Sequence, residues 1–230
     1  MIKNYIIGKR SNLSSRLKKI LPNSVLISLK DMNEIEELFR EKKKFNIIYN
    51  NFYPVSLLNE IDTNNLDKLI TETVTLSAFL LKNLNYKLVN KILYTSSSSV
   101  YESMKNIKTP QDKFNRKLYA SLKLSNENLF LNTADSKKIK CYVVRLFNLY
   151  GGRDNFSIVQ KIVNCQINNK KLFLFNNGDG IRDFIHINDV SKIYKIILET
   201  KKKVTEYFRF RDWFWCINKI NFRLHKISKT

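Results

Sequence analysis

Glycine is scarce in this chain, with five in 230 residues, or about 2%, where proteins average about 7%. The placement of each glycine therefore carries information. Gly8 ends a short apolar run, Gly151 and Gly152 follow "RLFNLY", and Gly178 and Gly180 lie in "NNGDGIRDF". All five stand at predicted turns, where a glycine lets the backbone approach a ligand closely.

Cysteine and histidine are also scarce, and long apolar runs are absent. The three cysteines (Cys141, Cys165 and Cys216) are widely spaced and form no CxxC pair, so we expect reduced thiols and a cytoplasmic protein. His186 and His225 lie far apart without clustered ligands, so no metal site is expected. No apolar run reaches the length of a membrane span. The start, "MIKNYIIGKRSNL", turns polar too early for a signal peptide.

Acidic residues are few beside basic ones, 20 against 41, which gives a formal net charge of +21. One interpretation is a nucleic-acid or anionic-membrane partner. The other is composition, since the chain is crowded with Lys, Asn, Ile, Phe and Tyr, which AT-rich codons encode. We favour the second, so a nucleic-acid partner is not expected. A positive field also suits an enzyme that takes doubly anionic substrates.

The chain does contain a regular alternation of strand-like and helix-like segments. Strands are predicted at 4–8, 24–29, 45–50, 90–96 and 140–148, and helices at 12–21, 32–43, 64–84 and 118–134. This alternation is typical of an α/β protein with a parallel sheet covered on both faces. Ligands of such sheets bind beyond the carboxyl ends of the strands.

Two segments carry candidate chemistry. "LYTSSSSVY" (93–101) is a strand that runs into a hydroxyl-rich turn, and "YASLK" (119–123) lies in the next predicted helix. Tyr119 and Lys123 point the same way, because helix positions i and i+4 share a face. A nearby ammonium stabilises phenolate, so we expect a lowered pKa for Tyr119 and an acid/base role. The pair alone would be read as a solvated helix face, but the upstream serines favour catalysis.

Four segments, taken in order, resemble the extended short-chain dehydrogenase/reductase family, which modifies sugar nucleotides. They are "LYTSSSSVY", "YASLK", "VVRLFNLYGG" (143–152) and "GDGIRDFIHINDV" (178–190). The resemblance implies a Rossmann-like doubly wound parallel sheet with a small, incomplete C-terminal substrate lobe. It divides the chain into an NAD(P)-binding domain (1–150), a partial substrate-binding lobe (151–200) and a divergent basic-aromatic tail (201–230).

The resemblance also implies catalytic roles. Ser97, four residues before Tyr101, has the spacing of the family's catalytic serine, and Ser98 is the alternative assignment and a candidate substrate contact. Tyr119 would move the proton, and Lys123 would hold the nicotinamide ribose.

Two residues nearer the C-terminus are implied as substrate contacts. Asn148 would contact the substrate, and Arg182 would meet its nucleotide diphosphate, which suits a fixed guanidinium. The structural alternatives are a turn-stabilising amide for Asn148 and a surface ion pair with Asp183 for Arg182. A homodimer through the helix that carries "YASLK" is common in the resembled family.

The expected cofactor is NAD or NADP. The family's G-x-x-G-x-x-G turn is replaced here by "GKRSNLS" (8–14), so serines occupy two glycine places. A serine can cap a helix, although its Cβ narrows the approach of phosphate to the backbone. The expected cofactor contacts are Gly8, Arg10, Ser11, Asn12, Leu13, Asp31, Tyr119 and Lys123. Lys9 and Arg10 weakly favour NADP, and "NFYP" (51–54) replaces the small residues that usually line the cofactor.

Only one strand-helix unit fits between the first helix and "NIIYN", a layout that resembles the family's reductases. Ser98 and Ser99 stand where dehydratases usually carry Asp-Glu. We therefore expect an NAD(P)-dependent sugar-nucleotide epimerase or ketoreductase that serves surface polysaccharide synthesis. Two alternatives stay open: a catalytically impaired or truncated relative with weak cofactor binding, and, ranked last, a basic nucleic-acid or membrane-surface binder.

Overall fold

The protein is described here from a computed structural model, which covers residues 2–53, 64–103, 114–172 and 182–200. Gly178, Gly180 and the predicted tail 201–230 lie outside these described residues. The strands are β1 (Lys3–Ile7), β2 (Ser24–Ile27), β3 (Phe45–Tyr49), β4 (Val89–Ser97), β5 (Lys140–Leu146), β6 (Asn148–Tyr150) and β7 (Phe184–His186). The helices are α1 (Asn12–Ile20), α2 (Met32–Phe39), α3 (Leu66–Ile70), α4 (Leu76–Asn83), α5 (Val100–Ser103), α6 (Phe114–Ser136), α7 (Ile158–Ile167) and α8 (Ile187–Glu199).

Five parallel strands form the main sheet in the order β2-β1-β3-β4-β5. A single strand-helix unit, β2 and α2, separates α1 from β3, which confirms the short layout predicted from the sequence. The strand order reverses between β1 and β3, so the crevice beyond their carboxyl ends is the place where such sheets bind ligands. A small parallel sheet of β6 and β7 stands apart.

Both faces of the main sheet are covered, as the apolar strands require. On one face, Ile35 and Leu38 of α2, Leu80 of α4 and Phe130 of α6 join one core cluster. On the other face, α1 and α8 pack together against the sheet and form a second cluster. The predicted partial lobe, residues 151–200, therefore includes a helix that completes the Rossmann core.

Three asparagines form a row across the amino-terminal part of the sheet. Asn46 donates to Asn4 at 2.8 Å, and Asn90 donates to Asn46 at 2.7 Å. Asn4 and Asn46 are direct register partners on neighbouring strands, while Asn90 falls at an irregularity in the pairing of β3 with β4. Because each buried amide finds another amide, the row satisfies polar groups that would otherwise be costly inside the sheet.

Lys91 joins β4 to the end of α8. The side chain is 5% exposed, and its ammonium donates to the carbonyl oxygens of Ile197, Leu198 and Thr200 over 2.9, 2.8 and 2.7 Å. Burial, together with the charge of Lys140, lowers the pKa of Lys91. A cation at this point satisfies carbonyls that the last turn of a helix leaves open and complements the helix dipole.

A π-helical turn (Thr71–Thr75) joins α3 to α4 and fixes the position of α6. The carbonyl oxygen of Thr73 accepts from Ser77 Oγ at 2.9 Å and also from the side-chain amide of Asn126 on α6. Asn126 follows Lys123 by one turn of the same helix. The hydrogen bond between Asn126 of α6 and Thr73 of the π-helical turn therefore helps to fix the position of "YASLK" along β4.

Candidate functional site

The turn after β1 accepts only a glycine at its first position. Gly8 has φ +99°, and a Cβ placed there would lie 2.8 Å from the backbone carbonyl carbon of Asn50. The amides of Gly8 and Lys9 both donate to the carbonyl oxygen of Ile27 at the end of β2. This close approach of three strand ends fixes where α1 begins.

The two serines that replace glycines have separate structural tasks. Ser11 is the N-cap of α1, and its hydroxyl accepts from the amide of Ser14 at 3.4 Å. Ser14 is fully buried, and its hydroxyl accepts from the Asn50 amide at 3.1 Å. Asn50 in turn accepts a hydrogen bond from the hydroxyl of Thr95, which lies 2.6 Å from the hydroxyl of Tyr194. A buried polar chain therefore runs from α1 to β4 and α8.

Asn12 and Leu13 hold the first turn of α1 in place. The Asn12 amide donates to the carbonyl oxygen of Gly151 at 2.9 Å, and its oxygen accepts from the amide of Arg153 at 3.0 Å. Leu13 is buried in the second core cluster. Both side chains therefore hold the turn between β1 and α1 in place, while Arg10 is exposed. The cofactor contacts of these three residues stay predictions.

Asp31 caps α2, because its carboxylate accepts from the amides of Asn33 and Glu34. Glu34 contacts the end of β2, because its carboxylate accepts from the amide of Ser28 at 2.7 Å and forms an ion pair with Lys9. Glu34 is not among the residues predicted from the sequence. A pattern in the sequence does predict the cap: "DMNE" has the D-x-x-E spacing of a helix N-terminus, with Asp31 as the capping residue.

The serine turn after β4 orders Ser97 as a hydrogen-bond donor. Its oxygen accepts from the amide of Ser99 at 3.2 Å and from the hydroxyl of Ser99 at 2.9 Å. With both lone pairs engaged, the Ser97 proton is the group it can offer to a substrate oxygen. The Ser98 amide donates to the carbonyl oxygen of Leu146, which fixes the turn to β5.

Tyr119 and Lys123 lie on the buried face of α6, with 6% and 3% of their surfaces exposed. The Lys123 ammonium lies 5.9 Å from the centre of the Tyr119 ring and donates to the carbonyl oxygen of Thr95 at 3.0 Å. Thr95 is two residues before Ser97. The helix pair therefore packs against the carboxyl-terminal part of β4, close to the serine turn, and the catalytic roles of the three residues stay predictions.

The expected lowering of the Tyr119 pKa is wrong for this arrangement. Burial raises the pKa of Tyr119 and outweighs any effect of the lysine. Burial also lowers the pKa of Lys123 to about 7, although Glu127 opposes that change. The interpretation from the sequence treated Lys123 as a permanent cation, whereas a buried ammonium loses much of its hydration.

Two aromatic residues after β3 cover this pair. The Phe52 ring centre lies 3.9 Å from the Lys123 ammonium. Tyr53 is 4% exposed and packs with Leu69 and Tyr119 in a third apolar cluster. The bulk of "NFYP" is evident from the sequence, but the packing of Phe52 and Tyr53 against the two candidate catalytic residues is not.

The predicted substrate contacts Asn148 and Arg182 are both exposed. Asn148 begins β6, and Arg182 lies two residues before the parallel strand β7. The Asn148 side-chain amide donates to the carbonyl oxygen of Asp183 at 2.8 Å, and so does its backbone amide at 3.2 Å. This contact is the turn-stabilising role named as the structural alternative. The substrate roles of Asn148 and Arg182 stay predictions.

An ion pair that the sequence did not reveal supports the same region. Glu127, one turn after Lys123, accepts from Arg145 in a two-pronged contact, with Nε to Oε1 at 2.9 Å and Nη2 to Oε2 at 2.6 Å. The Arg145 guanidinium also lies 4.7 Å from the centre of the Tyr101 ring. The pair ties α6 to β5 and to the helix after the serine turn.

Comparison with protein-family models identifies the family of this chain. The model of the NAD dependent epimerase/dehydratase family matches residues 4–209. The chain belongs to this family.

Two curated relatives agree with the family. The chain is 26% identical over 205 residues to a dTDP-D-glucose 4,6-dehydratase of Dictyostelium discoideum, a match that covers 82% of this chain and 46% of that protein. It is 35% identical over 107 residues to an uncharacterized protein of Methanocaldococcus jannaschii, which covers 44% and 32%. The matched part therefore spans less than half the length of either relative.

Solved structures share the fold at low identity. A mutant UDP-glucuronic acid 4-epimerase from Bacillus cereus, in complex with a UDP sugar and NAD, matches with a TM-score of 0.71 at 17% identity over 88% of this chain and 75% of that one. A UDP-N-acetylglucosamine 4-epimerase from Methanobrevibacter ruminantium matches with a TM-score of 0.70 at 16% identity, covering 87% and 74%. These likenesses establish the Rossmann-like fold.

NAD is the cofactor of the family, and the residues at this sheet edge fit a dinucleotide. The Gly8 turn brings the backbone to the start of α1, where helix amides attract a pyrophosphate. The Ser96 hydroxyl, in a residue only 4% exposed, has no hydrogen-bond partner within the described part of the chain. It lies on the same face of β4 as Tyr94, whose ring centre is 5.2 Å from the Lys123 ammonium. A ligand beside Lys123 could use this hydroxyl, which the sequence analysis missed.

The described residues contain neither a candidate metal site nor a helix that could span a membrane. Residues 2–53, 64–103, 114–172 and 182–200 hold no group of three or more His, Cys, Asp or Glu side chains placed to bind a metal ion. In the same ranges, no helix combines the length and apolar character that crossing a membrane requires.

Proposed function

We propose that this chain carries an NAD-dependent active site for sugar nucleotides, with the chemistry of an epimerase or ketoreductase, acting in the cytoplasm in surface polysaccharide synthesis. One observation carries the proposal. Lys123, in register with Tyr119 on α6, donates to the Thr95 carbonyl two residues before Ser97. Helix and strand thus bring an acid/base, a cation and a hydroxyl donor to one strand end.

Each of the three residues has a distinct role in the proposed reaction. Ser97 offers its proton to a sugar oxygen, since Ser99 engages its lone pairs. Tyr119 transfers a proton to or from the same oxygen. Lys123 orients the nicotinamide ribose and, when it is protonated, its charge stabilises the phenolate that forms when Tyr119 gives up its proton. NAD, when bound, supplies hydride transfer at the sugar carbon.

We further propose that Glu34, rather than Asp31, faces the adenosine ribose. Glu34 is bonded to the first amide after β2, which is where a carboxylate meets the ribose hydroxyls in such folds. Its ion pair with Lys9 occupies a cation that would otherwise attract the 2′-phosphate of NADP. This arrangement supports NAD over NADP.

The second candidate is an impaired relative that binds the cofactor weakly. Phe52 and the serines at positions 11 and 14 favour it, because each adds bulk or side-chain bonding where the family carries small residues. Arg182 and Asn148 would still contact a sugar nucleotide in the enzyme, whereas the impaired relative needs neither.

A calorimetric titration with NAD, NADH, NADP and NADPH, followed by a sugar-nucleotide epimerisation assay, tests the proposal. We expect binding of NAD, and turnover that Tyr119→Phe reduces by about 10²–10⁴ while NAD affinity holds. Phe is the matched change because it removes only the hydroxyl. Equal turnover by wild type and Tyr119→Phe would remove the acid/base assignment. A folded protein that binds none of the four nucleotides would favour the impaired relative.

A further inference from the structure

Phe52 occupies a position that the proposed reaction needs. Its ring centre is 3.9 Å from the Lys123 ammonium, which is closer than the rings of Tyr94 at 5.2 Å or Tyr119 at 5.9 Å. Lys123 also donates to the Thr95 carbonyl. The Thr95 carbonyl is therefore a direct hydrogen-bond acceptor of the ammonium, and Phe52 is the nearest of the three rings around it.

Phe52 is half-buried, whereas Lys123 is 3% exposed. Phe52 is thus the more exposed of the two residues, and its ring lies directly against the ammonium. Its neighbour Tyr53 packs against Tyr119, so the same two-residue segment covers both members of the pair. A ribose hydroxyl that accepts a hydrogen bond from Lys123 therefore has to compete with the Phe52 ring for space beside the ammonium.

We propose that Phe52 competes with the cofactor for Lys123 and so lowers the affinity of the site. The inference rests on the proposed function, since the competing ligand is the nicotinamide ribose of NAD. The attraction between ring and ammonium is regained when the cofactor leaves and lost when it binds. Phe52 is therefore an affinity-setting residue.

Replacement of the ring tests the competition directly. Phe52→Ala is expected to tighten NAD binding by about threefold to thirtyfold, the range that a contact between an aromatic ring and a cation covers. Phe52→Leu retains apolar bulk without an aromatic face, and we expect a smaller gain. Phe79→Ala is the matched control, because Phe79 is partly exposed on α4 and contacts Phe39 instead.

A second measurement needs no cofactor. Reductive methylation of Lys123, followed by peptide mass spectrometry on the full chain, reports how well the ring covers the ammonium. We expect faster methylation in Phe52→Ala than in wild type or Phe79→Ala.

Faster methylation together with tighter NAD binding in Phe52→Ala supports the proposal. Detectable NAD binding by Phe52→Ala, when wild type and Phe79→Ala show none, also supports it. Unchanged methylation, or faster methylation without a gain in affinity over a wild type that binds NAD, overturns it. Absence of NAD binding in all four folded proteins would instead remove the proposed function, and this inference with it.

Discussion

Lys123 of α6 donates a hydrogen bond over 3.0 Å to the carbonyl oxygen of Thr95, the residue that also links β4 to Asn50 and Tyr194 through its hydroxyl. The backbone of one residue thus holds the candidate cation, while its side chain belongs to the polar chain that begins at Ser14. A change at either end of that chain is expected to move the lysine.

Lys123 should make stability depend on pH between about 7 and 10.5, its folded and ordinary pKa values. In that window the unfolded chain carries a proton that the folded chain does not, so stability rises with pH. Lys123→Met removes this slope, which is worth about 1.4 kcal/mol per pH unit at most. Urea unfolding of both proteins at several pH values measures the difference. Lys82→Met, at an exposed lysine of α4, is the control and should leave the slope intact.

Glu127→Gln should destabilise the fold by about 2–3 kcal/mol, because it leaves the partly buried Arg145 guanidinium without its carboxylate. It should also lower the pKa of Lys123 further, since Glu127 raises it. The same substitution at Glu36, in an exposed pair with Arg40, should cost under about 0.5 kcal/mol. Chemical unfolding compares them, and equal losses would contradict a structural role for the buried pair.

Gly8→Ala should cost more than Gly152→Ala. Both positions have positive φ, but a Cβ at Gly8 meets the Asn50 backbone at 2.8 Å, whereas at Gly152 it meets the movable side chain of Asn12. We expect a loss above about 2 kcal/mol for the first and about 1 kcal/mol for the second. Thermal unfolding ranks the two, and the reverse order would show that the turn after β1 can relax.

Lys91→Met should loosen the last turn of α8. Three carbonyl oxygens lose a charged donor, and bonds of this kind are worth about 1.5–3 kcal/mol. Amide hydrogen exchange should speed up near Thr200 while the middle of the sheet stays protected. Lys195→Met, an exposed change on the same helix, is the matched control. Unaltered exchange in Lys91→Met would mean that the helix end does not depend on the lysine.

The strands and most helices were predictable because their signals are local. The strand predicted at 45–50 is observed at Phe45–Tyr49, and the helix predicted at 118–134 is observed at Phe114–Ser136. Apolar runs and turn residues carry that information within a few positions. The meeting of Tyr119 with Lys123 followed from helical spacing in the same way.

The environment of the site was not predictable, because it depends on residues far apart in the chain. Phe52 approaches Lys123 across seventy-one positions, and Asn50 reaches Ser14 across thirty-six. No pattern in a single sequence states such pairings. The pKa of Tyr119 was mispredicted for the same reason, since its burial depends on Tyr53 and Leu69 as well as on its own helix.

The row of Asn4, Asn46 and Asn90 should favour the native register of β1, β3 and β4 over shifted registers. Parallel strands come from distant parts of the chain, so their pairing is slow and open to error. A slip by one residue would turn an asparagine toward the opposite, apolar face and leave its partner amide buried alone. The correct register alone joins all three amides. The polar row thus distinguishes the native strand register from shifted registers that would bury similar apolar surface. This discrimination does not require a bound ligand.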